Sequence, residues 1–513
     1  MAISDAAGNG RVAAGKFYKL TSGNFTDNSP YAPIKIAILG EANDANQSGL
    51  VTAATDVLSA KQAGDTWGYG SPIFQAISKL RPSNGSDGVG GISTTVFAQA
   101  AAGSAAAKVM TITPSGTATG NGTHRIVIDG VNNINGVGYD INVVTGDTAT
   151  TIGPKIAAAI NNVLECPVTA ANNSGTGVNT CTTKWLGLSA NDVKIRVDTG
   201  DSGALGLTYT VATTTAGSGS PSISAALTAF GNTWYDIVVV CYPTGNSAAM
   251  TALENFNGVP DPYNPTGRYS ANVWLPFIAF VGSSADDPTA FTDARKTQCT
   301  IALCPAPLSE SLPCEIAASY ALNAALCAQN TPHLDIGGRY LTGVALPPAG
   351  SIPAMQDYNT RDAYVKKGCS TAIINQDQWQ VQDFVTTFHP DGVPIPSYRY
   401  VRNLFIDFNA YYIQSLLVAA YVANKALIND DQAVTVSDVI SPKMWKGILY
   451  NKLFKPMADL ALIADPEFSL DSCQTGIGST NPRRMETFYR YKRTETAGIV
   501  STTAEAGFNL GNA

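Results

Sequence analysis

Residues 34–39 read IKIAIL and are closed by Gly40. Only Lys35 in this run is charged, and a short apolar run ending at a glycine reads as a strand buried on both sides, as in a parallel sheet. Working downstream, the matching segments are YDIVVV at 235–240, FIAFV at 277–281 and a strand candidate at 300–303. Helical stretches stand among them at 224–230, 248–256, 288–296 and 315–327. Strand and helix alternating at this spacing predict an α/β layer with a mainly parallel sheet, to which 34–39 belongs. A further segment, up to about residue 80, reads as partly helical, with 65–72 as a turn.

Between the first of these strands and the second the composition changes. From about residue 95 to 224, short alternating strands recur at 109–113, 124–129, 140–144, 194–198 and 207–211, separated by Gly, Asn, Ser and Thr turns. One helix interrupts them at 151–163, with Ile152, Ile156 and Ile160 on one face. This predicts a β-rich domain inserted into the α/β core. Beyond residue 338 come a hairpin at 371–387 and a helix with Leu404, Phe408, Tyr411, Tyr412 and Ser415 on one face. A further helix starts with Ser441 as cap and Pro442 in its first turn. The loop 258–270 fits no element.

The two ends look different from the middle. Residues 1–30 hold one short strand candidate, Lys16, Phe17, Tyr18, Lys19 and Leu20, among Gly, Ser, Asn and Asp. Past residue 481, Phe488, Arg490 and Lys492 alternate with Tyr489, Tyr491 and Arg493, and Thr494, Glu495 and Thr496 come next. Such a strand has two adhesive faces and no core of its own, so it reads as an arm. The expected division is an arm at 1–30, an α/β core at 31–94 and 225–337, an inserted β-rich domain at 95–224, a C-terminal α+β domain at 338–480 and a second arm at 481–513. The fold class is therefore α/β with α+β character, multidomain, with extended strand arms at both ends. On this reading, removal of 2–20 or 485–513 leaves a folded monomer.

At 513 residues the chain is long enough for about three domains. It is 45% hydrophobic but only 14% charged, so self-repulsion is weak, as suits a protein packed among copies of itself. The net charge of -7 argues against direct contact with nucleic acid, which needs a concentrated Lys/Arg surface. No basic stretch leading into an apolar one opens the chain, and no apolar run approaches the roughly 20 residues that span a bilayer, so synthesis in a cytoplasm without membrane insertion is expected. The nine cysteines are scattered without a CxxC pair and read as buried thiols; Cys166 and Cys181, flanking a turn, are the one pair suited to a bridge.

Catalytic signatures are missing. Gly10, Gly15 and Lys16 match the spacing of a phosphate-binding GxxxxGK loop, but Phe17 stands where a Ser or Thr must hold Mg²⁺, and no buried strand precedes the loop. There is no GxSxG and no GxGxxG. His124, His333 and His389 are far apart, and Asp286–Asp287 and Asp430–Asp431 read as caps and solvated turns. The N-x-S/T triplets at Asn24, Asn46, Asn84, Asn121 and Asn172 are what chance supplies in so Asn-, Ser- and Thr-rich a chain. Lys443 and Lys446 fall nearly opposite Lys452 and Lys455 on a regular helix, which makes a solvated surface rather than one stripe. The loops leaving the buried strands, CYPTGNS at 241–247 and GSSADD at 282–287, carry no acid/base set. The expectation is a non-enzyme without cofactor or metal.

Four stretches carry a family resemblance when taken in order. They are VVTGDTATTIGPKIAAAINNVLECPVTA at 143–170 with LSANDVKIRV at 188–197 and LTYTVATTTAGSGSPSISAAL at 207–227; LTAFGNTWYDIVVVCY at 227–242; KKGCSTAIINQDQWQVQDFVTTFHPDGVPIPSYRYVRNL at 366–404; and the two extended ends. Together they resemble the contractile tail sheath family, in its Mu-like branch, with 385–388 standing where that family has a close variant of I-T-T-Y. The cysteine count and the loop 258–270 depart from the pattern.

The resemblance implies a structural subunit that polymerises as a helical sheath of stacked rings around a tail tube, and contracts to drive the tube through a host envelope for genome ejection. It implies the tube, baseplate and tail terminator proteins as partners, a place in the virion tail, and assembly in the host cytoplasm. The two arms, with residues 16–20 and 488–496 as working strands, are then expected to add to sheets of neighbouring subunits, each main-chain hydrogen bond contributing about 1 kcal/mol net. Two other readings stay open: the sheath of another contractile injector such as a phage-derived bacteriocin, and, from a different class, an α/β enzyme or nucleotide-binding protein. A Thr/Gly/Asn-rich adhesin or fibre is a third, which the helical remainder argues against.

Overall fold

A computed structural model describes residues 31–83, 88–130, 139–261, 263–393 and 397–504. The strand candidate Lys16, Phe17, Tyr18, Lys19 and Leu20 and the GxxxxGK match lie outside these residues. The apolar run quoted first forms β1 (Lys35–Glu41), in which every residue after Lys35 is buried. Next come β2 (Thr55–Asp56), α1 (Ala60–Trp67), α2 (Pro72–Leu80) and β3 (Ser93–Gln99). The intervening region adds β4 (Val109–Gly116), β5 (Gly122–Ile128), β6 (Tyr139–Val143), α3 (Ala149–Asn161), β7 (Val168–Asn172), β8 (Asn179–Thr183), β9 (Ile195–Asp198) and β10 (Leu207–Thr215). The α/β pattern resumes with α4 (Ser224–Ala229), β11 (Ile237–Val240), α5 (Ser247–Asn257), β12 (Ile278–Ser283), α6 (Thr289–Asp293), β13 (Ile301–Pro305) and α7 (Pro313–Asn330).

The core sheet has the order β13-β12-β11-β1-β3-β2 and is parallel except at β2. Because β1 lies near its middle, both faces need a cover. Ile36, Ile38, Val96, Val239 and Phe280 join the apolar cluster that also holds residues of α2 and α7. Ala37, Leu39, Val238, Val240 and Val281 face the other way, into a cluster with Leu227 of α4 and Met250 and Leu253 of α5. Each large aliphatic side chain so buried contributes about 2 kcal/mol. The outer edge of β13 is sealed by 386–387: Ala302 bridges Thr386, and Thr387 N–H donates to the Ile301 carbonyl at 2.9 Å. The stretch that resembles I-T-T-Y thus closes the core sheet.

The inserted region forms two sheets, β10-β4-β8-β7 and β6-β5-β9. Two features differ from the sequence expectation. Residues 93–99 are a core-sheet strand paired with β1 along seven positions, so the insertion begins after Gln99 and not at 95; the Thr-rich stretch STTVFAQ carries the apolar alternation of neither segment strongly. Strands β7 and β8, Asn- and Thr-rich hairpin partners, were not expected at all, because their alternate buried positions after Val168 are filled by Ala, Asn, Cys and Thr rather than large apolar residues. All nine cysteines, Cys166 and Cys181 among them, are buried free thiols.

After α7 come α8 (Tyr358–Lys366), the expected hairpin β14 (Thr371–Asn375) and β15 (Gln378–Asp383), and α9 (Val401–Tyr421). The remaining elements are β16 (Ala426–Leu427), β17 (Val439–Ile440), α10 (Pro442–Leu449), α11 (Lys455–Asp459), α12 (Pro466–Ser472), β18 (Gln474–Ile477) and β19 (Met485–Phe488). The Ser441 hydroxyl caps α10 by accepting from Met444 N–H at 3.3 Å. A π-turn at Tyr450–Phe454 joins α10 to α11, and the wider turn keeps Trp445, Leu449, Leu453 and Met457, spaced by four, in one cluster. Helix α9 is not amphipathic in the expected sense: nearly all of its first ten residues are buried, whereas Ser415 is exposed. The loop 258–270 returns to the core through Arg268, whose guanidinium donates to the carbonyls of Leu275, Gly231 and Thr233 at 2.7, 3.0 and 2.8 Å.

The first turn of α7 lies directly on β12. A Cβ added at Gly282 would stand 1.8 Å from the Pro313 carbonyl oxygen, so the helix must move to admit it. Gly282→Ala is therefore expected to destabilise the chain by about 1–3 kcal/mol, read as a lower midpoint in urea unfolding with an unchanged slope.

Candidate assembly site

One row of polar side chains runs along α9, and a late stretch of the chain lies on it. Residues 485–493 alternate strictly: Met485, Thr487, Tyr489, Tyr491 and Arg493 are half-buried while Glu486, Phe488, Arg490 and Lys492 are exposed. The inward set meets the helix in reverse order. Tyr489 OH donates to Gln414 Oε1 at 2.6 Å, Tyr491 OH to Asp407 Oδ1 at 2.6 Å, and Arg493 Nε and Nη2 to the two Asp407 oxygens at 2.8 and 2.5 Å. One turn nearer the start of the helix, Asn403 Nδ2 donates to Glu495 Oε1 at 2.9 Å, and the Arg402 guanidinium bonds the Thr494 hydroxyl at 2.6 Å. The extended chain therefore runs antiparallel to α9, with aromatic rings between the polar tips.

The main chain is held as well. β19 pairs antiparallel with β18, and further on Ala464 N–H donates to Lys492 O at 2.9 Å and Thr494 N–H to Leu462 O at 3.1 Å. On the outward side Lys492 sits over the Phe468 ring at 4.2 Å and pairs with Asp465 at 2.9 Å, and Arg490 sits over Phe488 at 5.6 Å. Gly498 N–H closes a turn on Thr496 O at 2.9 Å. Residues 497–504 beyond it are all exposed, Ile499 and Val500 by 85% and 83%.

This corrects the reading of 488–496 as a strand without a core. Only Phe488 belongs to a strand, and Tyr489 and Tyr491 pack against the apolar cluster of Trp445, Leu449, Phe454 and Met457. The polar ends of two tyrosines and an arginine make this possible, because each reaches an acid or amide on α9. The signal was legible in principle: Asn403, Asp407 and Gln414, at i, i+4 and i+11, mark a polar stripe on an otherwise apolar helix. The same packing argues against the expectation that 485–513 can be removed as one piece. The N-terminal side also reaches α9. Ala32 N–H donates to the buried Asn409 Oδ1 at 2.7 Å, and Tyr31 packs on the same cluster as Tyr489 and Tyr491.

Charge is concentrated at one point of the row. Burial works against the Arg493 cation, but the Asp407 carboxylate and the hydrogen bonds to it raise its pKa above the ordinary guanidinium value. Burial, and then the Asp407 charge, push the Tyr491 phenol well above its usual value, so it stays a donor. Lone removal of one partner leaves a largely buried charge unpaired, which costs about 3–5 kcal/mol.

The carboxyl ends of the core strands are the second candidate place, since ligands bind in open parallel sheets at the point where connections leave in opposite directions. Here that point lies between β1, which leads to β3, and β11, which leads to β12. It is filled by the insertion. Trp185 and Ser189 are buried there, the Ser189 hydroxyl donates to Glu41 Oε2, and Trp185 Nε1 donates to Ser189 Oγ at 3.0 Å. Beside them Tyr242 OH donates to Gln99 Oε1. Among the described residues no group of three or more His, Cys, Asp or Glu is placed to hold a metal, and no helix is long and apolar enough to cross a membrane.

Asp407→Ala is expected to lower unfolding stability by about 3 kcal/mol, and Arg493→Met by a similar amount. The double variant should lose much less than the sum; a double-mutant cycle in urea that proves additive would remove the pair from its central role.

No family model matches the chain. It is 25% identical over 470 residues, 89% of both chains, to the Mu-like prophage FluMu tail sheath protein of Haemophilus influenzae. Among solved structures, a sheath tail protein from Desulfitobacterium hafniense aligns over 93% of this chain and 100% of its own, at 10% identity and a TM-score of 0.44. A chain of the anti-feeding prophage baseplate aligns over 53% of this chain and 69% of its own, at 13% identity and a TM-score of 0.35. Across nearly nine tenths of its length this chain is similar to a Mu-like prophage tail sheath protein.

Proposed function

We propose that this chain is the structural subunit of a contractile tail sheath: it polymerises around a tail tube and contracts to drive the tube through a host envelope. The observation that carries this is the match to a tail sheath protein over 89% of both chains, which leaves little of either unaccounted for. Two features of the molecule support it. The usual ligand crevice of the α/β sheet is occupied by the chain's own Trp185 and Ser189, which favours a structural role over catalysis and needs no cofactor. The last described residues, 497–504, are exposed and outside any helix or strand, as a segment meant for another molecule would be.

The division proposed for this role keeps the α/β core, the insertion as a protruding domain, and the C-terminal α+β domain as the part that binds its neighbours. Strand addition is the proposed contact. Among the described residues the β18–β19 pair is a two-stranded sheet with no third strand on either edge, and a groove of about 750 Å³ lies between it and α9, lined by Gln414, Val418, Trp445, Thr475, Glu486 and Phe488. An extended end of a neighbouring copy, 16–20 or the segment after 496, supplies main-chain donors and acceptors for such an edge. Under this reading the protein is a homo-oligomer in the virion tail, with tube, baseplate and terminator proteins as further partners, and neither nucleic acid nor membrane is bound directly. A sheath of a related contractile injector would use the same contacts.

Electron microscopy of the purified protein at high concentration is expected to reveal hollow tubes or stacked rings; a monomer that persists there overturns the proposal. Removal of both 2–20 and 497–513 should leave a folded chain that no longer polymerises. Removal of 485–513, by contrast, uncovers the cluster around Trp445 and should lower thermal stability by several degrees, with aggregation.

A further inference from the structure

The contact that fills the core sheet's crevice is built on a carboxyl group with no counter-charge. Glu41 ends β1 at 1% exposure. One oxygen accepts from Ser189, itself held by Trp185; the other, Oε1, has no hydrogen-bond partner. Gly187 presses on that second oxygen, since a Cβ there would lie 2.5 Å from Oε1, and its φ of +116° is one that side-chain-bearing residues rarely adopt. The same turn is tied down by main-chain bonds, Gly187 N–H to Ala106 O at 3.1 Å and Leu188 N–H to Gly219 O at 2.9 Å.

The titratable groups on the elements packed around Glu41 are few. Cys241 and Tyr242 lie just past β11, Cys314 and Glu315 open α7, and Asp192 belongs to the insertion, where burial outweighs Lys194 and Lys108 and raises its pKa to about 7 as well. Lys79 pairs with Glu315, not with Glu41, at 3.2 Å. Among the described residues no cation pairs with Glu41, and an ionised carboxylate buried without one is strongly disfavoured.

We propose that residues 185–192 are a detachable plug in the crevice of the core sheet, docked while Glu41 keeps its proton and released when the proton leaves. Burial raises the Glu41 pKa to about 7, against an ordinary glutamate near 4.5 once the plug is out. The docked form thus holds the proton more tightly. Docking is full below the ordinary value, weakens as pH rises between the two values, and levels off above about 7. The inserted region is then joined to the core through a contact that the ambient proton concentration adjusts, independently of the two chain ends.

Hydrogen exchange on the full chain tests this, with peptides covering 185–192 monitored at pH 5 and pH 8 and corrected for intrinsic exchange. Wild-type protection there should fall by about one to two powers of ten at the higher pH, while peptides from β12 and α7 keep theirs. Glu41→Gln should show a clearly smaller fall than wild type, the double variant Glu41→Gln/Asp192→Asn should stay protected at both pH values, and Gly187→Ala should be unprotected at both. The proposal is overturned by equal wild-type protection at the two pH values, by a fall that spreads over the whole chain, or by a fall that is undiminished in Glu41→Gln. Should Gly187→Ala fail to fold, the Glu41 and Asp192 variants decide alone.

Discussion

Strand β1 has no side that meets water, and most of the architecture derives from that one constraint. A strand buried on both faces needs two covering layers and two flanking strands. Helices α2 and α7 supply one layer and α4 and α5 the other, while β3 and β11 supply the neighbours. The insertion enters between β3 and β11, so it starts and ends beside β1 and its turn at 185–192 comes to rest on the strand's last residue, Glu41. The position where many α/β proteins receive a ligand is used here to seat a part of the same chain.

The C-terminal part is organised around a helix instead. The first half of α9 is buried on most of its circumference, yet its sequence includes Arg402, Asn403, Asp407 and Asn409. Buried polar groups of this kind are tolerated only with partners. The chain provides them from both ends, Ala32 for Asn409 and residues 489–495 for the others. An extended segment with no hydrophobic core of its own becomes part of one by bringing hydroxyl and guanidinium groups to acids and amides already fixed on a helix.

The core strands were legible because a short, nearly unbroken apolar run has few alternative structures. The start of α10 was legible because Ser441 and Pro442 act locally. What escaped was set by distant contacts. STTVFAQ becomes a core strand only because β1 lies beside it, and β7 and β8 bury small and polar residues whose burial no periodicity scale rewards. At the candidate site, the alternation of 488–493 identified the two faces correctly, but which face was covered depended on Asp407 and Gln414, some 80 residues away. Helix α9 was read from its apolar positions alone, so its polar stripe went unused.

The nine cysteines carry a consequence of a different kind. Burial raises the thiol pKa of Cys181 and Cys299 to about 12 and holds others, including Cys304 and Cys369, above their usual value. The thiolate is the reactive form, and it is both scarce and out of reach here. Thiols held in this way resist cross-linking to other molecules when the surroundings turn oxidising. The chain's chemical shelf life is decided by packing rather than by the absence of sulfur.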